Sequence, residues 1–181
     1  MNALKALTIE TAPEGSKPTL QASQKGFGFI PNLMATFANS PAVLNGYMGL
    51  DAAWETSSLS AKERHIVLLA TSVANNCRYC IAAHSTILKG MLKTDPACVK
   101  SIRANAPVAD AKLNALVQFT KEVVGERGHV SENTKNNFLA AGYAPAAMME
   151  VLVGVALKTI SNYLDHLNPT PIDAAFKAEA N

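Results

Sequence analysis

The chain has 181 residues, of which 49% are hydrophobic and 17% charged, with 16 basic against 14 acidic side chains for a formal charge of +2. That near-neutral balance, with no basic run longer than two residues, excludes a nucleic-acid binder working through a strongly basic patch, and the apolar fraction is enough for a core that needs no disulfide or metal staple. Ten Gly and nine Pro are too few for a low-complexity chain, the N-terminal region shows no apolar stretch of signal-peptide length, and the most apolar stretch meets Glu150 and then Lys158 before reaching the roughly 18 uncharged residues of a membrane span.

A soluble, cytoplasmic protein with no membrane or nucleic-acid partner is therefore expected, and three cysteines suit a reducing compartment better than a disulfide framework. Residues 1–25 are polar and carry Pro13, Gly15 and Pro18, which predicts an extended or loosely packed N-terminal arm. Gly26-Phe27-Gly28-Phe29-Ile30-Pro31-Asn32 lacks the spacing and the preceding strand of a nucleotide loop, so an apolar turn docking on the core is the better reading. Ser40-Pro41 supplies an N-cap and a Pro at the first helical position, opening a helix to about Trp54. Ser60-Ala61-Lys62-Glu63 is a capping box that starts a helix with Ile66, Leu69, Ala70, Val73 and Ala74 along one stripe. Asn75-Asn76 ends it and caps a helix running from near Cys77 to Gly90. Asp95-Pro96, Lys112 to Val124, Ser131 to Gly142 and Pro145 to about Leu164 complete the helical series. No sustained period-two alternation appears, so the fold class is all-α: an arm (1–25), a helical domain (26–168) and a C-terminal tail (169–181) that is either loose or a short docking helix.

One constellation carries chemistry: Cys77-x-x-Cys80-x-x-x-His84. On a continuous helix these three side chains fall within about 60° of one another. Two thiols and an imidazole would then share one apolar-walled space, with Tyr79 pointing away. A helix N-terminus or a cationic neighbour favours the thiolate, which is the nucleophile, and His84 is placed to take or relay its proton. Two intervening residues allow the pair to close a disulfide once one sulfur is oxidised. Such a pair suits peroxide reduction: one thiolate becomes a sulfenic acid, the other condenses with it, and an external dithiol resets both. A metal centre and a pair of inert packing thiols are the rival readings. A zinc site normally asks for a further pair of ligands, and buried free cysteines are common.

The runs Leu59 to Val67 and Asn75 to His84, with Gly28-Phe29-Ile30-Pro31-Asn32, Ser40-Pro41 and Leu139-Ala140-Ala141-Gly142-Tyr143, resemble the alkylhydroperoxidase D (AhpD)-like/carboxymuconolactone decarboxylase superfamily, in its peroxidase-related branch. The resemblance covers about residues 26–168. It implies an all-α AhpD-like bundle assembled as a trimer or hexamer, and an antioxidant peroxidase with no cofactor or metal. Its hydroperoxide substrate would be attacked by Cys80, with Cys77 as the resolving thiol, His84 assisting, and a lipoyl or thioredoxin-like dithiol as reductant. The family carries a Glu 12 residues before the first cysteine, where this chain has His65, and a His between the cysteines, where it has Tyr79. His65 is taken as the relay partner. Glu63 lies about 200° around the helix from His65 and belongs to the capping box. The alternatives are a carboxymuconolactone-decarboxylase-type lyase and a non-catalytic oligomeric protein with structural thiols.

Overall fold

The computed structural model describes residues 4–180, so the first three residues of the expected arm and Asn181 of the tail lie outside it. Among the described residues there are helices and turns and no strand. The α-helices are α1 (Lys17–Phe27), α2 (Asn32–Phe37), α3 (Pro41–Glu55), α4 (Ala61–Ala74), α5 (Arg78–Thr86), α6 (Pro96–Arg103), α7 (Ala111–Gly125), α8 (Glu132–Ala140) and α9 (Pro145–Leu167). The protein is all-α, as its sequence predicts.

The caps form where the sequence puts them. Ser40 Oγ accepts from Val43 N at 3.4 Å, Asp95 Oδ1 from Ala97 N at 2.8 Å, and Ser131 Oγ from Thr134 N at 3.3 Å. The capping box at α4 is complete: Ser60 Oγ accepts from Glu63 N at 3.3 Å while Glu63 Oε2 accepts from Ser60 N at 2.9 Å. Each such cap contributes about 1 kcal/mol.

Helix α4 sits at the centre, against α5, α7 and α9. Every residue from Ile66 to Val73 is buried, which is the behaviour of a core helix that is apolar on all sides. Its close approach to α9 depends on Gly154. A Cβ there would stand 2.9 Å from both the Trp54 ring and Val67, so the indole, itself 1% exposed, occupies the space a side chain would need.

The N-terminal region differs from the expected arm. Residues 17–27 form α1, with Leu20 fully buried. Pro18 falls in the first turn, where its missing N–H breaks no hydrogen bond, so a residue that reads as a breaker is compatible with a start. The tail takes its docked alternative: Ala174–Glu179 is a 3-10 helix packed on α5. It is pinned by Asp173, whose carboxylate accepts from Asn32 N at 3.2 Å and from the Tyr79 hydroxyl at 2.6 Å. By length and hydropathy alone α9 could cross a membrane. Its Lys158, Ser161, Asn162 and Asp165 are all buried against the rest of the bundle, on the face opposite its exposed apolar residues.

Candidate active site

The junction between α4 and α5 sets the first thiol. Asn76 adopts φ 55°, in the left-handed region that Asn tolerates. Asn76 N donates to Val73 O and Cys77 N to Ser72 O, both at 3.0 Å. This pair of bonds closes α4 in a Schellman motif and leaves Cys77, at ψ 101°, as the N-cap of α5. The sequence placed both cysteines and His84 on one helix; instead Cys77 stands just outside it, and neither asparagine side chain caps α5. Asn75 Nδ2 donates to Asn162 Oδ1 at 3.0 Å. Past Thr86 the helix widens into a π-helical turn, Ile87–Met91.

The two thiols are nevertheless brought together, and what meets them comes from α9. Lys158 Nζ lies 3.8 Å from Cys80 Sγ and donates to His84 Nε2 at 2.9 Å. Ser161 Oγ is 3.8 Å from Cys80 Sγ, and Asp165 Oδ2 accepts from Cys77 Sγ at 3.4 Å. Positions 158, 161 and 165 follow the three- and four-residue steps that share one helix face. His84 Nδ1 in turn meets His65 Nδ1 at 3.2 Å. Because Lys158 donates to Nε2, a neutral His84 carries its proton on Nδ1 and donates it to His65, which then holds its own proton on Nε2. The row Lys158–His84–His65 is thus a directed chain of proton carriers.

The electrostatics separates the thiols. The hydrogen bond from Cys77 and the Lys158 ammonium, working against burial, bring Cys80 down to about 6. The same shared proton, with burial, pushes Cys77 well above the usual thiol range. Burial opposes the Lys158 ammonium, yet Cys80 and Tyr47 hold it charged, above the ordinary lysine value. Burial and the Lys158 charge keep His84 well below its ordinary value and bring His65 to about 4. The pair is therefore set up as Cys80 thiolate beside Lys158 ammonium, with both imidazoles neutral.

A cavity of about 230 Å³ opens onto this group. Cys80, His84, His65 and Lys158 line it together with Asp51 and Glu55, and Met34, Met48 and Phe176 are among its apolar walls. Phe27 and Tyr47 line it, whereas Phe29 meets Phe176 edge-on, with ring centroids 6.0 Å apart, and stays off the wall. Glu63 is elsewhere: its Oε1 accepts from the Tyr143 hydroxyl at 3.0 Å and pairs with Lys112 at 3.0 Å. Cys98 is half-buried and free, lining a separate depression with Lys62 and Asp95. Among the described residues, no group of three or more His, Cys, Asp or Glu could hold a metal ion. Lys158, Ser161 and Asp165 were missed from sequence. The available signal was a lysine and an aspartate in step on the most apolar helix, where a charge needs a buried partner.

No curated protein matches the chain. Solved structures match it over nearly the whole length. One is a peroxidase-related protein from Ralstonia eutropha JMP134 described as an alkylhydroperoxidase AhpD core, at 22% identity and TM-score 0.85, covering 97% of this chain and 94% of that one. A peroxidase-related protein from Silicibacter sp. TM1040 aligns at 18% identity and TM-score 0.81, covering 99% and 97%. The debrominase Bmp8 aligns at 18% identity and TM-score 0.80, also covering 99% and 97%. Residues 41–122, which span α3 to most of α7 and include both motif cysteines and His84, match the carboxymuconolactone decarboxylase family model. The chain thus shares the AhpD-like all-α fold of these structures, and its central segment is similar to the carboxymuconolactone decarboxylase family.

Proposed function

We propose that the protein is a thiol-dependent peroxidase that reduces hydroperoxides through a Cys80/Cys77 dithiol–disulfide cycle. The observation that carries this is a Cys80 sulfur on the wall of an apolar cavity, 3.8 Å from a buried ammonium. That environment favours the reactive thiolate and excludes bulk water from it. The thiolate attacks the outer oxygen of the hydroperoxide, the O–O bond breaks, and Cys80 becomes a sulfenic acid. The departing alkoxide takes a proton from Lys158, which then regains one from solvent through the cavity. Cys77 then displaces hydroxide from the sulfenic sulfur to form the disulfide, and an external dithiol, of lipoyl or thioredoxin type, returns both thiols.

The test is hydroperoxide consumption with a supplied dithiol, wild type against Cys80→Ser. Loss of turnover in the variant supports the reading, and equal rates overturn it. Turnover of a carboxymuconolactone surviving loss of both thiols would favour the lyase alternative.

A second reading, reductive dehalogenation of a small aromatic, draws on the fold shared with the debrominase and on the Phe27, Tyr47 and Phe176 rings of the cavity. Bromide release from a brominated pyrrole in the presence of dithiol, without peroxide turnover, would select it. The assembly proposed is a homo-oligomer, trimer or hexamer. Its support is the outer face of α9, where Met149, Leu152, Ile160, Tyr163 and Leu167 are exposed. A solution mass matching the 19.1 kDa monomer would exclude it.

A further inference from the structure

We infer that Asp165 is the base that takes the proton from Cys77 when the disulfide closes. This rests on the thiol cycle proposed above and names the group that controls its second step. The proton carriers of the site stand on the other sulfur: Lys158 Nζ is 3.8 Å from Cys80 Sγ and bonded onward to His84. Cys77 is fully buried and does not line the cavity. Its thiol has two acceptors, the Cys80 sulfur and Asp165 Oδ2 at 3.4 Å. Asp165 is itself buried, and its other oxygen accepts from Thr170 N at 2.9 Å, which holds Oδ2 toward Cys77.

One S–H cannot serve both acceptors, and the chemistry decides which it serves. In the resting enzyme the Cys80 thiolate draws the proton, and Cys77 stays a thiol. Once Cys80 carries a sulfenic OH its negative charge is gone, and the Asp165 carboxylate is the anionic acceptor that remains. Oδ2 takes the proton, the Cys77 sulfur attacks Cys80 Sγ, the S–S bond forms and the S–O bond breaks. The departing hydroxide takes a proton from Lys158 and leaves as water. In sum, Cys77–SH and Cys80–SOH give the disulfide and water, with one proton moved from Lys158 to Asp165. The reducing dithiol supplies two electrons and two protons as it becomes a disulfide; with the proton on Asp165 these restore Cys77–SH and the Lys158 ammonium, and the third proton returns to solvent, matching the one Lys158 took up after the alkoxide left. Asp165 thus lets Cys77 ionise after the oxidation of Cys80 and not before, which avoids two adjacent thiolates.

The step can be isolated without peroxide. 4,4′-Dithiodipyridine enters at Cys80, the sulfur on the cavity wall, releasing one thiopyridone; attack by Cys77 on the mixed disulfide releases a second. Asp165→Asn keeps the size and the Thr170 bond but cannot take the proton. The first release is expected within about threefold of wild type, because general-base loss leaves the Cys80 step alone. The second is expected at least about thirtyfold slower near neutral pH, rising about tenfold per pH unit as hydroxide replaces the base. In wild type it is expected to be flat across the same range. A second release at the wild-type rate, or one slowed equally at every pH as a packing defect would do, overturns the assignment. If Asp165→Asn does not fold, the wild-type profile still decides, since a tenfold rise per pH unit there leaves no work for Asp165. Sulfenic acid on Cys80 after peroxide is scored separately. Its absence alongside a flat wild-type second release removes the peroxidase reading and leaves Asp165 in its role.

Discussion

Lys158 and Asp165, two turns apart on α9, set opposite charges against the two motif thiols: the ammonium is 3.8 Å from Cys80 and the carboxylate 3.4 Å from Cys77. The cysteines are chemically equivalent in sequence. The hydrogen bond from Cys77 to Cys80 does most to set the two apart, and this helix adds to it, because a positive neighbour favours the anion and a negative one opposes it.

Replacing the cation tests that division. In Lys158→Met the Cys80 thiol, brought to about 6 in the native protein, is expected to move up toward the ordinary thiol range on loss of its charged partner. Alkylation by iodoacetamide near neutral pH should slow about tenfold as the thiolate fraction falls. An unchanged rate would show that the hydrogen bond from Cys77 suffices. The fold should survive, since Cys80 can take a proton and stay neutral once its charged partner is gone.

The neutral histidines make the protein acid-sensitive. His65 is brought to about 4 and His84 lies well below its ordinary value, while in the unfolded chain both protonate near about 6.5. Between those values the unfolded state binds more protons, so stability rises with pH and is lost as pH falls from about 6.5 toward 4, by about 3 kcal/mol for His65, with His84 adding to the loss. Denaturant midpoints across this range should show the slope, and His65→Gln should lessen it, leaving the part due to His84.

Glu63 should matter for folding and not for the thiols. Its carboxylate, brought to about 2 by its bonds to Ser60, Lys112 and Tyr143 against the pull of burial, ties the start of α4 to Tyr143 and Lys112. Glu63→Gln is expected to cost about 1–2 kcal/mol through the capping box and the charged contacts, with Cys80 alkylation unchanged. A slowed alkylation would place Glu63 in the proton chain.

Gly154 is a packing requirement. Gly154→Ala would drive a methyl into Trp54 and Val67, each 2.9 Å from the new carbon. The overpacking should cost about 1–3 kcal/mol in thermal unfolding, outweighing the gain in helix propensity of about 1 kcal/mol. A stabilised variant would mean that α9 can move off the indole.

Most of the fold was legible because its signals are local. Ser40-Pro41, Ser60 with Glu63, Asp95-Pro96 and Ser131 cap the helices they announce, since a cap needs only backbone groups within one turn. The helix α1 was not, because its short polar sequence buries only Leu20 and Ser23 and is held by the rest of the protein. The same line runs through the site. Cys77, Cys80 and His84 were visible as a spaced motif, and His65 by its distance from it. Lys158 and Asp165 lie 78 and 88 residues away from the sulfurs they meet. The sequence determined which groups are available and that they sit on helices, through short-range hydrogen bonding and periodicity. Only the tertiary structure set the two thiols apart, because the packing of α9 against α5 puts an ammonium beside one sulfur and a carboxylate beside the other.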